Sequence, residues 1–218
     1  MTNRNDNWTG SFVARSVKRH KNVEDVELLT PQVVKVVRKE DPPFLAGTIA
    51  SERVERHTIE HLVRGDFKID FIANVPKESI WTGEAIDLAT SQSVAFGGLG
   101  DLLSAVALSD VRSYEKKEFG FVERGLRQHS RVQGFKRIYD RLYIVNRRNL
   151  PGVTVVLLNE YELTADHIRT ARDRYGEFSD ILITNPNGNP TSSAKLAADS
   201  MGAKIHVWGG FMSRLHEP

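Results

Sequence analysis

The chain has 218 residues, 40% hydrophobic and 27% charged, with 30 Lys and Arg against 28 Asp and Glu, the mix of a globular protein with one good-sized core. It has no cysteine, which excludes disulfides, thiolate metal sites and cysteine nucleophiles. The start MTNRNDNWTG lacks the apolar core of a secretory signal, and VTVVLL at 153–158 is too short to span a membrane, so a cytoplasmic protein without membrane contact is expected.

Residues 1–25 are polar and basic without a steady period and read as a flexible N-terminal arm. VVKVVR at 33–38 is a strand candidate, broken by EDPPFLAG because two prolines cannot join a ladder. SERVERHTIEHLVRG at 51–65 reads as a helix with Val54, Ile59, Leu62 and Val63 toward a core and Gly65 at its end. Residues 26–66 are thus expected to form an accessory strand and helix region, packed on an α/β ligand-binding domain of residues 67–218.

In that domain the chain alternates. FKIDFIANV is a strand candidate ended by Pro76; TGEAIDLATS is a helix with Thr82 as its cap. SVAFGG is a short strand, and DLLSAVALSD a helix opened by Asp101. The mixed stretch 114–141 reads as one or two helices, interrupted near Gly120, Gly125 or Gly134. LYIVN and VTVVLLNE are strands. A helix follows, with Thr164 as cap and Leu163 and Ile168 at the spacing of a hydrophobic staple. DILIT is the next strand, and 190–201 a helix with Pro190 near its first position and Gly202 past its end. AKIHVW closes the series. Strand and helix in alternation predict an open, mostly parallel sheet flanked by helices, a Rossmann-like three-layer sandwich. No internal repeat stands out.

In such a sheet ligands collect where strand C-termini meet helix N-termini. That edge would carry Asn74, Lys77, Gly98, Asp101, Asn159, Glu160, Asn185 and Asn187. In NPNGNPTSS, Gly188 removes a Cβ from the path of a ligand, Thr191 and Ser192 offer hydroxyls at a helix start, and Lys195 adds charge. These residues predict a site for a nucleotide-like or other phosphorylated small molecule. Glu160 and Glu162, just past an apolar strand, are the candidate general bases for hydrolysis or transfer. GGLGD at 97–101 does not match the dinucleotide fingerprint, and no Walker A sequence occurs. His57 and His61 share a helix face, but HTIEH misplaces the glutamate of a zinc site. No metal ligands are assigned, and a divalent ion stays open as a cofactor.

The alternative lies in the charge distribution. Residues 111–150 carry 11 Lys and Arg against 4 Asp and Glu. Arg124, Arg127 and Arg131 recur at three- and four-residue steps; Lys136, Arg137 and Arg141 nearly continue the face, and Arg147 and Arg148 follow. With Phe135, Tyr139 and Tyr143 interleaved, this run predicts a nucleic-acid-binding or nuclease-type surface over 112–148. A third reading is a non-catalytic regulatory or structural subunit with a protein partner.

Overall fold

A computed structural model describes residues 8–218, and the chain divides into two compact units, Met1–Lys116 and Lys117–Pro218. The expected boundary after residue 66 falls inside the first unit.

Unit 1 opens with helix α1 (Thr9–Val17), whose Val13 and Val17 are fully buried. Strands β1 (Val23–Thr30), β2 (Val33–Arg38) and β3 (Phe44–Ile49) form an antiparallel meander. The chain then crosses over through β4 (Arg53–Val54) and α2 (Arg56–Val63) to β5 (Phe71–Asn74), parallel to β3. A second crossover, through β6 (Ile80–Trp81) and α3 (Gly83–Ser91), delivers β7 (Ala95–Gly98), and α4 (Leu99–Ala105) closes the unit. The sheet order is β1-β2-β3-β5-β7. α1 and α4 cover one face over Val34, Val36 and Phe71; α2 and α3 cover the other over Ile49, Ile72 and Trp81.

Unit 2 repeats the plan. Helix α5 (Lys117–Gln128) precedes the meander β8 (Val132–Tyr139), β9 (Leu142–Arg147) and β10 (Leu150–Leu158). Next come β11 (Glu162–Leu163), α6 (Ala165–Tyr175), β12 (Asp180–Ile183), β13 (Asn189–Pro190), α7 (Ser192–Ser200), β14 (Lys204–His206) and α8 (Trp208–Arg214). Read from β8, its sheet order is β8-β9-β10-β12-β14, the order of unit 1.

The correspondence holds at many individual residues, at a fixed spacing of 109 positions, half the length of the chain. Buried Arg38 donates to the carbonyls of Pro42, Val106, Leu108 and Ser109; buried Arg147 donates to those of Pro151, Arg214 and Glu217. Thr82 caps α3 through the Ala85 N–H, and Thr191 caps α7 through that of Ala194. The imidazole of His20 accepts from the Asn22 N–H, and that of His129 from Arg131. Even the left-handed residue before the last strand recurs, as Ser93 at φ 55° and Gly202 at φ 67°. The expectation of no internal repeat is therefore overturned: the chain is a tandem duplication without net insertion. Sixteen of the 109 residue pairs are identical, which explains why the repeat is hard to see.

The fold class is also corrected. Each sheet is mixed, and the molecule is not an open, mostly parallel Rossmann-like sandwich. The physical reason is the length of the connections. Two residues join β1 to β2, β8 to β9 and β9 to β10, which permits only antiparallel return, whereas the later crossovers each contain a helix. The stretch expected to be helical over 114–141 is α5 followed by edge strand β8, and α1 lies within the expected flexible arm. Among the described residues, no helix is long and apolar enough to cross a membrane.

Candidate nucleic-acid interface

The strand ends expected to build one pocket are shared between two sheets. Asn74, Lys77, Gly98 and Asp101 belong to unit 1, and Asn185, Asn187, Gly188, Thr191, Ser192 and Lys195 to unit 2. Many of their polar groups are engaged by the fold itself. Asn74, fully buried, donates to the Ser51 carbonyl at 2.8 Å and accepts from the Ser51 N–H at 3.0 Å, tying β5 to the end of β3. Asp101 accepts from the Gly98 N–H at 2.9 Å and the Tyr114 hydroxyl at 2.5 Å; a Cβ at Gly97 would stand 2.6 Å from it.

In the 185–193 loop the Asn185 side chain accepts from the Asn187 N–H, and the Gly188 N–H donates to the Asn185 carbonyl. A Cβ at Gly188 would lie 2.4 Å from the Glu160 carbonyl, so this glycine is required by internal packing. The Thr191 hydroxyl donates to Leu163 and caps α7. Ser192 and Lys195 are exposed on α7, and Lys77 is exposed after β5. Glu160 has His167 Nε2 at 3.9 Å, while Glu162 is exposed on β11.

Two ionic clusters hold unit 2 together. Glu118, in the first turn of α5, takes a bidentate pair from Arg141 at 2.9 and 3.2 Å and a hydrogen bond from the Thr184 hydroxyl at 2.5 Å. That arrangement pins α5 to the end of β12, and the Arg141 guanidinium also reaches the Leu157 carbonyl of β10. At the other end of β12, fully buried Asp180 faces His206 Nε2 at 2.8 Å, Ser179 Oγ at 2.7 Å and Arg214 Nε at 3.3 Å. Burial pushes the Asp180 carboxyl up, but the hydrogen bonds from His206 and Ser179 and the Arg214 charge outweigh it and hold the group below the usual carboxylate range. The serine bonds the aspartate and not the histidine, so the group is not a nucleophilic triad.

The basic run separates in the same way. Arg137 donates to the Asp140 carbonyl and lies 4.1 Å from the Phe119 ring centroid, Arg141 is committed to Glu118, and Arg147 is the buried strap. Arg127 pairs with Glu123 at 2.6 Å. Arg124, Arg131, Lys136 and Arg148 are exposed, but only Arg124 and Arg127 lie on the helix, since α5 ends at Gln128.

One solvent-facing stripe of α5 stands out. Lys117, Phe121 and Arg124 occupy positions i, i+4 and i+7, hence one face, and all three are exposed. Phe121 is 53% exposed, with its ring centroid 4.5 Å from that of Trp208 in α8. Gly125 makes the contact possible, because a Cβ there would stand 2.3 Å from the indole. Among the described residues, neither the Lys117 nor the Arg124 side chain has a hydrogen bond or ion pair. The result is an exposed ring, backed by a partly buried indole, beside uncommitted cations.

Sequence reasoning placed Arg124 on this surface and missed Lys117, Phe121 and Trp208. The available signal was the tetrapeptide Phe-Val-x-Arg, which occurs as FVAR at 12–15 and FVER at 121–124. Most identical pairs between the halves have a structural role, as buried apolar residues, helix caps, turn acceptors or carbonyl straps. The exposed pair Arg15 and Arg124 has no such role in either unit. No known protein family, characterised protein or solved structure matches the chain.

Proposed function

We propose that the protein binds single-stranded nucleic acid, with the α5–α8 face of unit 2 as a contact surface. The observation that carries this reading is the exposed Phe121 ring, backed by the partly buried Trp208 indole, beside Arg124 and Lys117. Aromatic surfaces stack bases irrespective of sequence, at roughly 1–3 kcal/mol per base, while adjacent cations take phosphates. The strand-end loops support a small-ligand reading less well, because their amides and hydroxyls are already paired within the chain.

Fluorescence anisotropy with labelled single-stranded oligonucleotides, measured across a salt series, tests the reading. The wild-type chain binds with a negative dependence of log K on log salt. Phe121→Ala with Trp208→Ala weakens binding about tenfold or more, the effect of losing one stacked base. Arg124→Glu weakens it and flattens the salt dependence. Absence of salt-sensitive binding to any single strand, or full affinity in the two-ring variant, overturns it.

A further inference from the structure

The duplication extends to the exposed stripe. In unit 1, Trp8, Phe12 and Arg15 stand at the same i, i+4, i+7 spacing, 109 positions before Lys117, Phe121 and Arg124. Trp8 is 46% exposed and meets Phe12 edge-on, with ring centroids 5.6 Å apart. Arg15 is exposed, and its side chain has no ion pair or hydrogen bond among the described residues. Each unit therefore presents one exposed ring backed by a partly buried one, and an uncommitted arginine on its first helix. The second ring has a different origin in each: in unit 1 it is Trp8, at the start of the helix, and in unit 2 it is Trp208 of α8, at the position equivalent to Leu99.

The same apparatus is thus assembled twice from non-equivalent residues around an identical Phe and Arg. In each unit one exposed ring is backed by a partly buried one, Trp8 by Phe12 in unit 1 and Phe121 by Trp208 in unit 2, so the arrangement recurs although the exposed ring comes from a different position. The charge agrees with an anionic strand: between residues 9 and 23 the chain carries Arg15, Lys18, Arg19 and Lys21 and no acidic residue, and among the described residues only the Lys18 side chain is committed, to Asp25.

We infer that unit 1 carries a second single-strand-binding surface, formed by Trp8, Phe12 and Arg15, so that each chain holds two short strands or two stretches of one long strand. This rests on the reading proposed above for unit 2. Covalent linkage of two such sites raises affinity for strands long enough to engage both, without any new contact.

The test is a titration of the full chain with a short labelled oligonucleotide of about six nucleotides, long enough for one stacking surface and within the site sizes of small single-strand modules. The expected stoichiometry is two per chain in the wild type. It falls to one in Trp8→Ala/Arg15→Glu and to one in Phe121→Ala/Arg124→Glu, and binding is lost when the four substitutions are combined. Trp8 and Arg15 are chosen because both are exposed, and thermal melting confirms that the fold survives. If the wild type binds one oligonucleotide and Trp8→Ala/Arg15→Glu changes nothing, the second surface is refuted while the unit 2 reading stands. If no variant differs from a wild type that fails to bind, both are refuted.

Discussion

At the scale of single residues, the two halves provide internal controls for each other's polar cores. Asp180, His206 and Arg214 form a buried ionic cluster in unit 2; the equivalent residues of unit 1 are Phe71, Gly97 and Ala105, with Phe71 and Ala105 fully buried in an apolar core. Removing one partner of a buried ion pair leaves an uncompensated charge, at about 3–5 kcal/mol, whereas replacing a whole cluster with apolar groups is often neutral or better. Asp180→Ala should therefore lower stability to urea by about that amount, and Asp180→Phe/His206→Gly/Arg214→Ala, the unit 1 set, should recover most of it. A triple variant no more stable than the single one would show that the surroundings have diverged too far for the exchange.

The same cluster sets a pH dependence. The Asp180 carboxyl titrates below its ordinary range in the folded chain, so unfolding takes up a proton in acid. Its contribution is complete above the ordinary carboxylate pKa near 3.8 and is lost as pH falls through the lower folded-state value. Urea melts between pH 6 and 3 should show a steeper acid loss in the wild type than in the triple variant.

At the scale of elements, legibility followed burial. Thr82 and Thr164 cap α3 and α6 as their sequences indicate, and Gly202 ends α7 in the left-handed region, because these signals depend on a few neighbouring residues. Pro190 stands in β13, ahead of the Thr191 cap, and not in the first helical turn. The edge strands were the hard elements. VEDVELLT and VQGFKRIY each have one sheet neighbour, and Glu24, Asp25, Glu27 and Lys136 are exposed, so hydrophobic alternation is faint in both. Such charges keep a free strand edge from pairing with other chains. The ring pair was illegible for a different reason: Phe121 and Trp208 are far apart in sequence, and the glycine that lets them meet looks like a helix breaker. Gly125→Ala should displace the Trp208 indole from α5, with a red shift in its fluorescence and weaker oligonucleotide binding, while far-ultraviolet circular dichroism stays unchanged. An unshifted emission maximum would mean that α8 absorbs the added methyl without moving the ring.

At the scale of the whole molecule, the fixed spacing of 109 residues has a thermodynamic consequence. The described cores lie within single units: Trp81 is buried in a cluster drawn from residues 33–94, and Trp208 packs on one drawn from residues 119–215. A substitution confined to one core should act on that unit first. Arg147 suits the purpose, because it is 5% exposed and donates to Pro151 at 2.7 Å, Arg214 at 3.2 Å and Glu217 at 2.5 Å, closing the C-terminal turn of unit 2 against its sheet. Arg147→Ala removes these three bonds, at about 2–4 kcal/mol, and Arg147→Lys should not restore them, since an ammonium cannot span the guanidinium's fork. In chains retaining either Trp81 or Trp208 as the sole tryptophan, Arg147→Ala should bring the Trp208 transition to lower urea and leave that of Trp81 in place. Coincident transitions at a common lower midpoint would instead mean that the two halves unfold as one cooperative unit despite their separate cores.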